Sequence, residues 1–292
     1  MKNLLISFSG GETSAFMSQW LVRHAHEFGY ENLVFVFANT GFENEETLDF
    51  VEECDEAFGL NVYWIEAVVH HGQRKSSTHR LTSFENASRD AQPFEEVIKK
   101  YGIPNVAFPH CTRELKERPI ISFASQYFDG EPYHTAIGIR ADEVDRVNEN
   151  RIQKGFIYPL ISKQMIPATK RHINFFWSNQ PFRLRLKGYQ GNCITCWKKH
   201  QNKLYQIARE NPVAFEFMDR MEKKYGRVGA EFLQDPKAND RVFFRGQRSA
   251  QQILSEADGW QGKVIDDSVD TSFQLSLLES ESCEVFSECH SS

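Results

Sequence analysis

The sequence predicts an α/β protein built on a doubly wound parallel sheet, followed by a helical region and an acidic tail. Three observations lead there. Short apolar runs alternate with stretches of 3.6-residue apolar rhythm, at lengths that suit βαβ units. The first run ends in a turn rich in Ser and Gly, and the second ends in Asn39-Thr40-Gly41-Phe42. Right-handed crossovers place both turns beyond the carboxyl ends of the strands, where open sheets of this kind hold their ligands.

Leu4, Leu5 and Ile6 form a run suited to a buried strand, and residues 15–22 (AFMSQWLV) carry the rhythm of a helix packed on a sheet. Between them lies Ser9-Gly10-Gly11-Glu12-Thr13-Ser14. Two glycines let the backbone approach an anion without Cβ interference, and the hydroxyls of Ser9, Thr13 and Ser14 join the first helical amides as donors to phosphate oxygens. The spacing is neither a Walker loop nor GxGxxG. Residues 32–38 (NLVFVFA) read as the second strand, a helix opens at Thr47 and runs to about Phe58, and residues 61–65 make a third strand. Residues 70–90 carry Arg74, Lys75, Arg80, Arg89 and three histidines. Such a stretch reads as a surface loop or lid, either a solvated connection or a holder of phosphate or nucleic-acid backbone.

A helix is expected over residues 94–101, and Cys111 stands just before a basic helix. Residues 133–139 read as a strand running into Gly138-Ile139-Arg140, with Arg146 six residues on. Planar guanidinium groups suit bidentate capture of phosphate or sulfate; the competing reading is a surface salt bridge to Asp142, Glu143 or Asp145. Residues 177–186 read mainly as packing.

At 292 residues the chain is long enough for one large domain with an appendage or for two small ones. We divide it into an α/β domain over 1–190, a helical Cys-containing region over 191–263 and an acidic tail over 264–292. Near the start no apolar run is long enough for a signal peptide or spanning helix, so a cytoplasmic protein without membrane attachment is expected. The net charge is −6, but residues 264–292 hold seven acids and no Lys or Arg, which leaves +1 for the remainder. Net charge thus makes no case of its own for nucleic-acid binding.

Six cysteines at 54, 111, 193, 196, 283 and 289 are too few and too scattered for a secreted disulfide framework. Cys193-Ile194-Thr195-Cys196 places two thiols one turn apart at the expected start of a helix, with Cys111 lying 82 residues upstream. In a reducing compartment a CxxC pair suggests metal or redox work. Thiolates suit a [4Fe–4S] cluster, and a Cys₃His set equally suits zinc.

The Ser9–Ser14 turn resembles the SGGxTS form of the PP-loop of the adenine-nucleotide alpha-hydrolase-like superfamily. Asn39-Thr40-Gly41-Phe42 followed by Glu46-Thr47 and Phe50-Val51, then Gly138-Ile139-Arg140 with Arg146, are similar in order and type to segments of its PAPS reductase-like family. Cys111 with Cys193 and Cys196 resembles the iron–sulfur pattern of APS reductases, with His110 in the place of one cysteine, which leaves a fourth position for His110, for Cys283 or Cys289, or for an exogenous ligand. Ser287-Glu288-Cys289-His290 is similar to the reductases' carboxyl-terminal ECGLH but lacks its glycine. The resemblance implies a Rossmann-like PP-loop fold and an adenine nucleotide, ATP or PAPS/APS, with Mg as an accompanying ion. Phosphate would sit at Ser9, Gly10, Gly11, Thr13 and Ser14, the nucleoside at Asn39, Thr40, Gly41 and Phe42, and the anionic end at Gly138, Arg140 and Arg146. Cys111, Cys193, Cys196 and Cys283 would hold the [4Fe–4S] cluster or zinc. As a sulfonucleotide reductase the enzyme would use Cys289 as nucleophile, with Arg140, and a thioredoxin-like donor. As an ATP-dependent sulfurtransferase it would act on a nucleic acid or a small molecule. The contrasting class is a non-catalytic nucleotide-sensing module with a structural zinc and an acidic tail for a partner.

Overall fold

The computed structural model describes residues 2–269, so Cys283 and Cys289 lie outside the described residues. In chain order the elements are β1 (Lys2–Ser7), α1 (Glu12–His24), β2 (Tyr30–Asn39), α2 (Glu45–Phe58), β3 (Tyr63–Val68), β4 (Thr78–Thr82) and α3 (Gln92–Tyr101). There follow α4 (His110–Thr112), continuing through a π-helical turn (Arg113–Glu117) into α5 (Arg118–Tyr127), then β5 (Tyr133–Ala136), β6 (Phe156–Ile157) and α6 (Lys170–Ser178). A helical region closes the series with α7 (Gln201–Glu210), α8 (Glu216–Tyr225), α9 (Glu231–Gln234) and α10 (Ala250–Gly259).

One six-stranded sheet runs β4-β3-β2-β1-β5-β6. Every pairing is parallel except that of β4, which lies antiparallel on β3. β4 falls inside the stretch read from sequence as a loop or lid. Its sequence, THRLT, is polar because an edge strand needs only partial cover, so the apolar signal of a buried strand is absent.

β1 lies at the centre, and Leu4, Leu5 and Ile6 are all fully buried. Alternate side chains serve opposite faces. Leu4 and Ile6 pack with Phe16, Leu21, Phe37 and Trp177 under α1 and α6, whereas Leu5 packs with Val34, Val36, Ile65 and Phe123 under α5. That double cover explains why β1 and β2 read as continuous apolar runs rather than alternating ones. A third cluster joins Phe42, Phe94 and Val97 to Trp197, Leu204, Phe215, Met218, Phe243 and Ile253, which ties the β2–α2 loop and α3 to the helical region.

The turn after β1 is held by contrast between its two glycines. Gly10 has φ +80° and a Cβ there would stand 2.7 Å from Thr47 Cγ2 of α2. Gly11 is the extended N-cap of α1, and the nearest atom to an added Cβ is Ser9 Oγ at 3.9 Å. Gly10→Ala is therefore expected to destabilise the protein by about 2 kcal/mol or more, from left-handed strain and collision together. Gly11→Ala should leave the melting midpoint nearly unchanged. Thermal unfolding of the two variants checks the contrast.

In the helical region Glu222 of α8 accepts the backbone N–H groups of Phe243 and Ala250, joining α8 to the start of α10. Burial pushes its carboxyl up to about 7, against those two hydrogen bonds. The folded state thus binds this proton more tightly than the unfolded state, whose value is an ordinary 4.5. Its contribution to stability is complete below the unfolded value and is lost as pH rises through about 7. Denaturant unfolding from pH 5 to 8 should show stability falling with pH, and Glu222→Gln should flatten that slope.

Candidate functional site

The principal cavity, of about 160 Å³, opens at the carboxyl end of β1 and is lined by Ser9, Gly11, Glu12, Thr13, Arg140, Glu143, Lys170, Lys187, Gly188, Asn192, Lys199, Lys203, Asp267 and Ser268, among others. Five cations face three carboxylates, and the amino end of α1 points in, so the cavity favours an anion. Arg140 is placed by its own neighbours. Its Nη1 donates to Thr13 Oγ1 at 3.2 Å, its Nε donates to Asp142 Oδ1 at 3.1 Å, and its Nη2 lies 3.2 Å from Glu143 Oε1. Gly138 lets this segment approach the turn, since a Cβ there would stand 3.3 Å from Ser14 Cα.

The predicted phosphate-binding residues divide into two sets. Ser9, Gly11 and Thr13 line the cavity. Ser14 is fully buried, and its Oγ accepts from Ser9 N at 3.2 Å and donates to Gly11 O at 2.9 Å, so this hydroxyl closes the turn on itself. Gly10 shapes the same turn from behind. Arg146 is buried and donates to Glu143 Oε1 at 2.8 Å, outside the cavity lining. For this arginine the salt bridge to Glu143 is what forms, and it is buried rather than on the surface.

Asn39, Thr40, Gly41 and Phe42 are all buried and do not line that cavity. Asn39 donates to Glu66 Oε1 at 2.7 Å and to Ser88 O at 2.9 Å, and accepts from Gly41 N at 3.1 Å. Glu66 is itself buried and also receives Arg80 and the Ser88 amide. Thr40 donates through both N and Oγ1 to Glu43 Oε2, at 3.0 and 2.7 Å, and Phe42 N lies 3.3 Å from the same oxygen. Phe42 packs on Phe94 and Phe217 with ring centres 6.0 and 4.7 Å apart.

This loop meets the cysteines. Glu43 pairs with Cys193 in an isolated antiparallel bridge, Ile194 N donates to Phe42 O at 3.0 Å, and Asn44 donates to Gln190 O at 3.1 Å. Cys111, Cys193 and Cys196 line one small apolar cavity together with Thr40, Lys116, Asn192 and Trp197. Thr40 Oγ1 lies 3.7 Å from Cys193 Sγ, and Lys116 Nζ lies 3.3 Å from Glu43 Oε1. Burial pushes the Cys193 thiol up to about 12, the Glu43 carboxylate adding to this and Lys116 opposing it. The thiols are not at the start of a helix as the spacing suggested. They sit in turns ahead of α7, held as a loop because Lys199 Nζ bonds the carbonyls of Tyr189, at 3.1 Å, and Gly191.

Among the described residues no three His, Cys, Asp or Glu side chains converge on one ion. His110 does not line the cysteine cavity. Its ring packs on Tyr101, burial beside Arg113 and Arg241 lowers its pKa to about 4, and its Nε2 is buried without a hydrogen bond. Cys54 is buried in α2 away from the other thiols.

Some participants carry no sequence signal. Arg183 lies in the stretch read as packing, yet it donates to the Glu12 carboxylate at 3.0 and 3.1 Å and to Ser268 O at 2.6 Å. Burial raises the Glu12 pKa against the opposing charge of Arg183. Residues 266–268 cross the cavity rim: Asp266 Oδ1 accepts from Gly188 N at 2.9 Å, and Asn174 donates to Asp267 O at 2.9 Å. An added Cβ at Gly188 would come within 1.8 Å of Asp267 Oδ1, so a larger residue there would require the exposed Asp267 side chain to turn aside. No helix among the described residues is long and apolar enough to cross a membrane.

Comparison with known proteins gives the same direction. Residues 3–154 match the family of the phosphoadenosine phosphosulfate reductase domain. The chain is 32% identical over 203 residues to an uncharacterized nin region protein of Escherichia phage lambda, covering 68% of this chain and 67% of that one. It is 25% identical over 240 residues to an uncharacterized protein of Methanocaldococcus jannaschii, covering 77% of this chain and 42% of that one. With its PP-loop turn, its parallel sheet and a match over more than half its length, the chain belongs to the phosphoadenosine phosphosulfate reductase domain family.

Proposed function

We propose that this protein is an adenine-nucleotide-dependent enzyme of sulfur metabolism, acting as a sulfonucleotide reductase or as an ATP-dependent sulfurtransferase. The observation that carries the reading is the adjacency of two chemistries. A cation-rich cavity built on the turn after β1 abuts a cavity lined by Cys111, Cys193 and Cys196. Ser9, Gly11 and Thr13 would bind phosphate, and Arg140 would hold the anionic end of the nucleotide. Asn39 and Glu66 would act indirectly, by fixing the loop that docks on the cysteines.

The donor set fits a sulfur-rich centre. Cys111, Cys193 and Cys196 line one cavity, and thiolates suit a [4Fe–4S] cluster, with zinc as the alternative. Lys116 would offset thiolate charge there, and Cys283 would be the fourth ligand. Such a cluster supplies a polarisable iron–sulfur site beside the nucleotide. In the reductase form the Cys289 thiolate would attack the sulfonyl sulfur and expel the nucleotide phosphate, and a thioredoxin-like dithiol would then release sulfite. In the transferase form an acceptor oxygen, on a nucleic acid or a small molecule, would take the adenylyl group from ATP and release pyrophosphate. A sulfur nucleophile would then expel AMP.

Arg140→Ala should weaken adenine-nucleotide binding by about 10- to 100-fold, the scale of one lost charge-assisted bidentate contact. Calorimetric titration checks this, and wild-type affinity in the variant would remove Arg140 from the site. Anaerobically purified protein should carry iron and acid-labile sulfide near four of each per chain. Cys193→Ser should lose most of both; one zinc and no iron in the wild type would overturn the cluster.

A further inference from the structure

The nucleotide-side cavity and the cysteine cavity share one lining residue among the described residues, Asn192. Its backbone is in the left-handed region, φ +63°, at a position where the chain has not used glycine. The loop around it is fixed without its help. Ile194 N bonds Phe42 O, Asn44 bonds Gln190 O, and Lys199 bonds Gly191 O. The Asn192 carboxamide makes no hydrogen bond to any described residue, and it is half-buried between the two cavities. Asparagine tolerates left-handed backbone better than most residues, but glycine does so at less cost. Backbone shape alone therefore leaves the amide unexplained.

Building on the nucleotide reading above, we propose that Asn192 is a specificity-determining residue whose amide N–H donates to a tetrahedral oxyanion at the reacting end of the nucleotide. The oxyanion is the terminal phosphoryl of a triphosphate or the sulfonyl of a phosphosulfate, held at the doorway to the three cysteines. The surrounding charge selects this class. Arg140, Lys170, Lys187 and Lys199 make the cavity side attractive to an anion, and a neutral carboxamide among cations offers direction rather than charge. On the other side Cys193 follows directly in sequence. An oxyanion bonded to Asn192 thus lies next to the thiol cavity, while the rest of the nucleotide stays on the turn after β1.

The experiment compares wild type, Asn192→Gly and Asn192→Asp in calorimetric titrations with AMP, ATP and adenosine 5′-phosphosulfate. Asn192→Gly keeps the backbone conformation and removes the donor. It should weaken ATP or phosphosulfate binding by about tenfold while AMP stays within about twofold. Asn192→Asp keeps the size and adds charge, and should weaken the same ligand further. Loss confined to ATP identifies a phosphoryl oxyanion, and loss confined to the phosphosulfate a sulfonyl one. A parallel loss for all three ligands, AMP included, assigns Asn192 a structural role and overturns the proposal, as does wild-type affinity in both variants. If Asn192→Gly proves unstable, Asn192→Asp decides by the same comparison. A wild-type protein that binds none of the three overturns the nucleotide reading itself and this proposal with it.

Discussion

The arrangement depends on the carboxylate of Glu43. It is almost wholly buried, collects the amide and hydroxyl of Thr40 and the amide of Phe42, and faces Lys116 from the helical segment that begins at His110. Its backbone at the same time bridges to Cys193. One residue, through its side chain and its backbone, thereby joins the end of β2, the cysteine-bearing helix and the cysteine loop. A buried carboxylate is tolerable only with such a set of partners, and removing any of them would leave a desolvated charge. The junction ties Cys193 to the end of β2, while Cys111 and Cys193 also pack against the core of the helical region.

The sheet and the turn after β1 were legible because their signals are local. A central strand buried on both faces must be apolar throughout, as Leu4, Leu5 and Ile6 are, and a strand-to-helix turn at a left-handed position needs Gly10. What escaped the sequence was the direction in which polar side chains point. Asn39 and Arg146 have the residue types of ligand contacts, yet their partners are Glu66, 27 residues on, and Glu143. Arg183 has the opposite history. It stands in an aromatic stretch that reads as packing, and its role depends on Glu12, 171 residues earlier. The edge strand β4 was hidden for a related reason, since half-covered strands do not need apolar residues.

The cysteine spacing shows where a motif stops being informative. CxxC fixes how far apart two thiols lie along the chain but not the element that carries them. Here a lysine ammonium captured by the carbonyls of Tyr189 and Gly191 holds the segment as a loop, and the helix waits until Gln201. The loop conformation, in turn, puts Asn192 between two cavities, a position no helical start would have given it.

The crossing of residues 266–268 over Gly188 has a consequence for how the site comes into being. Ser9 and Ser268 border the same cavity although nearly the whole described chain separates them. During synthesis the sheet and its first turns can pack while the rim is still unmade, because chains fold from the amino end as they emerge. Long-range closure of this kind is slow compared with local structure. The anion cavity therefore cannot be completed before residues near the end of the described chain are made, and its basic lining is synthesised before Asp267 and Ser268 border it.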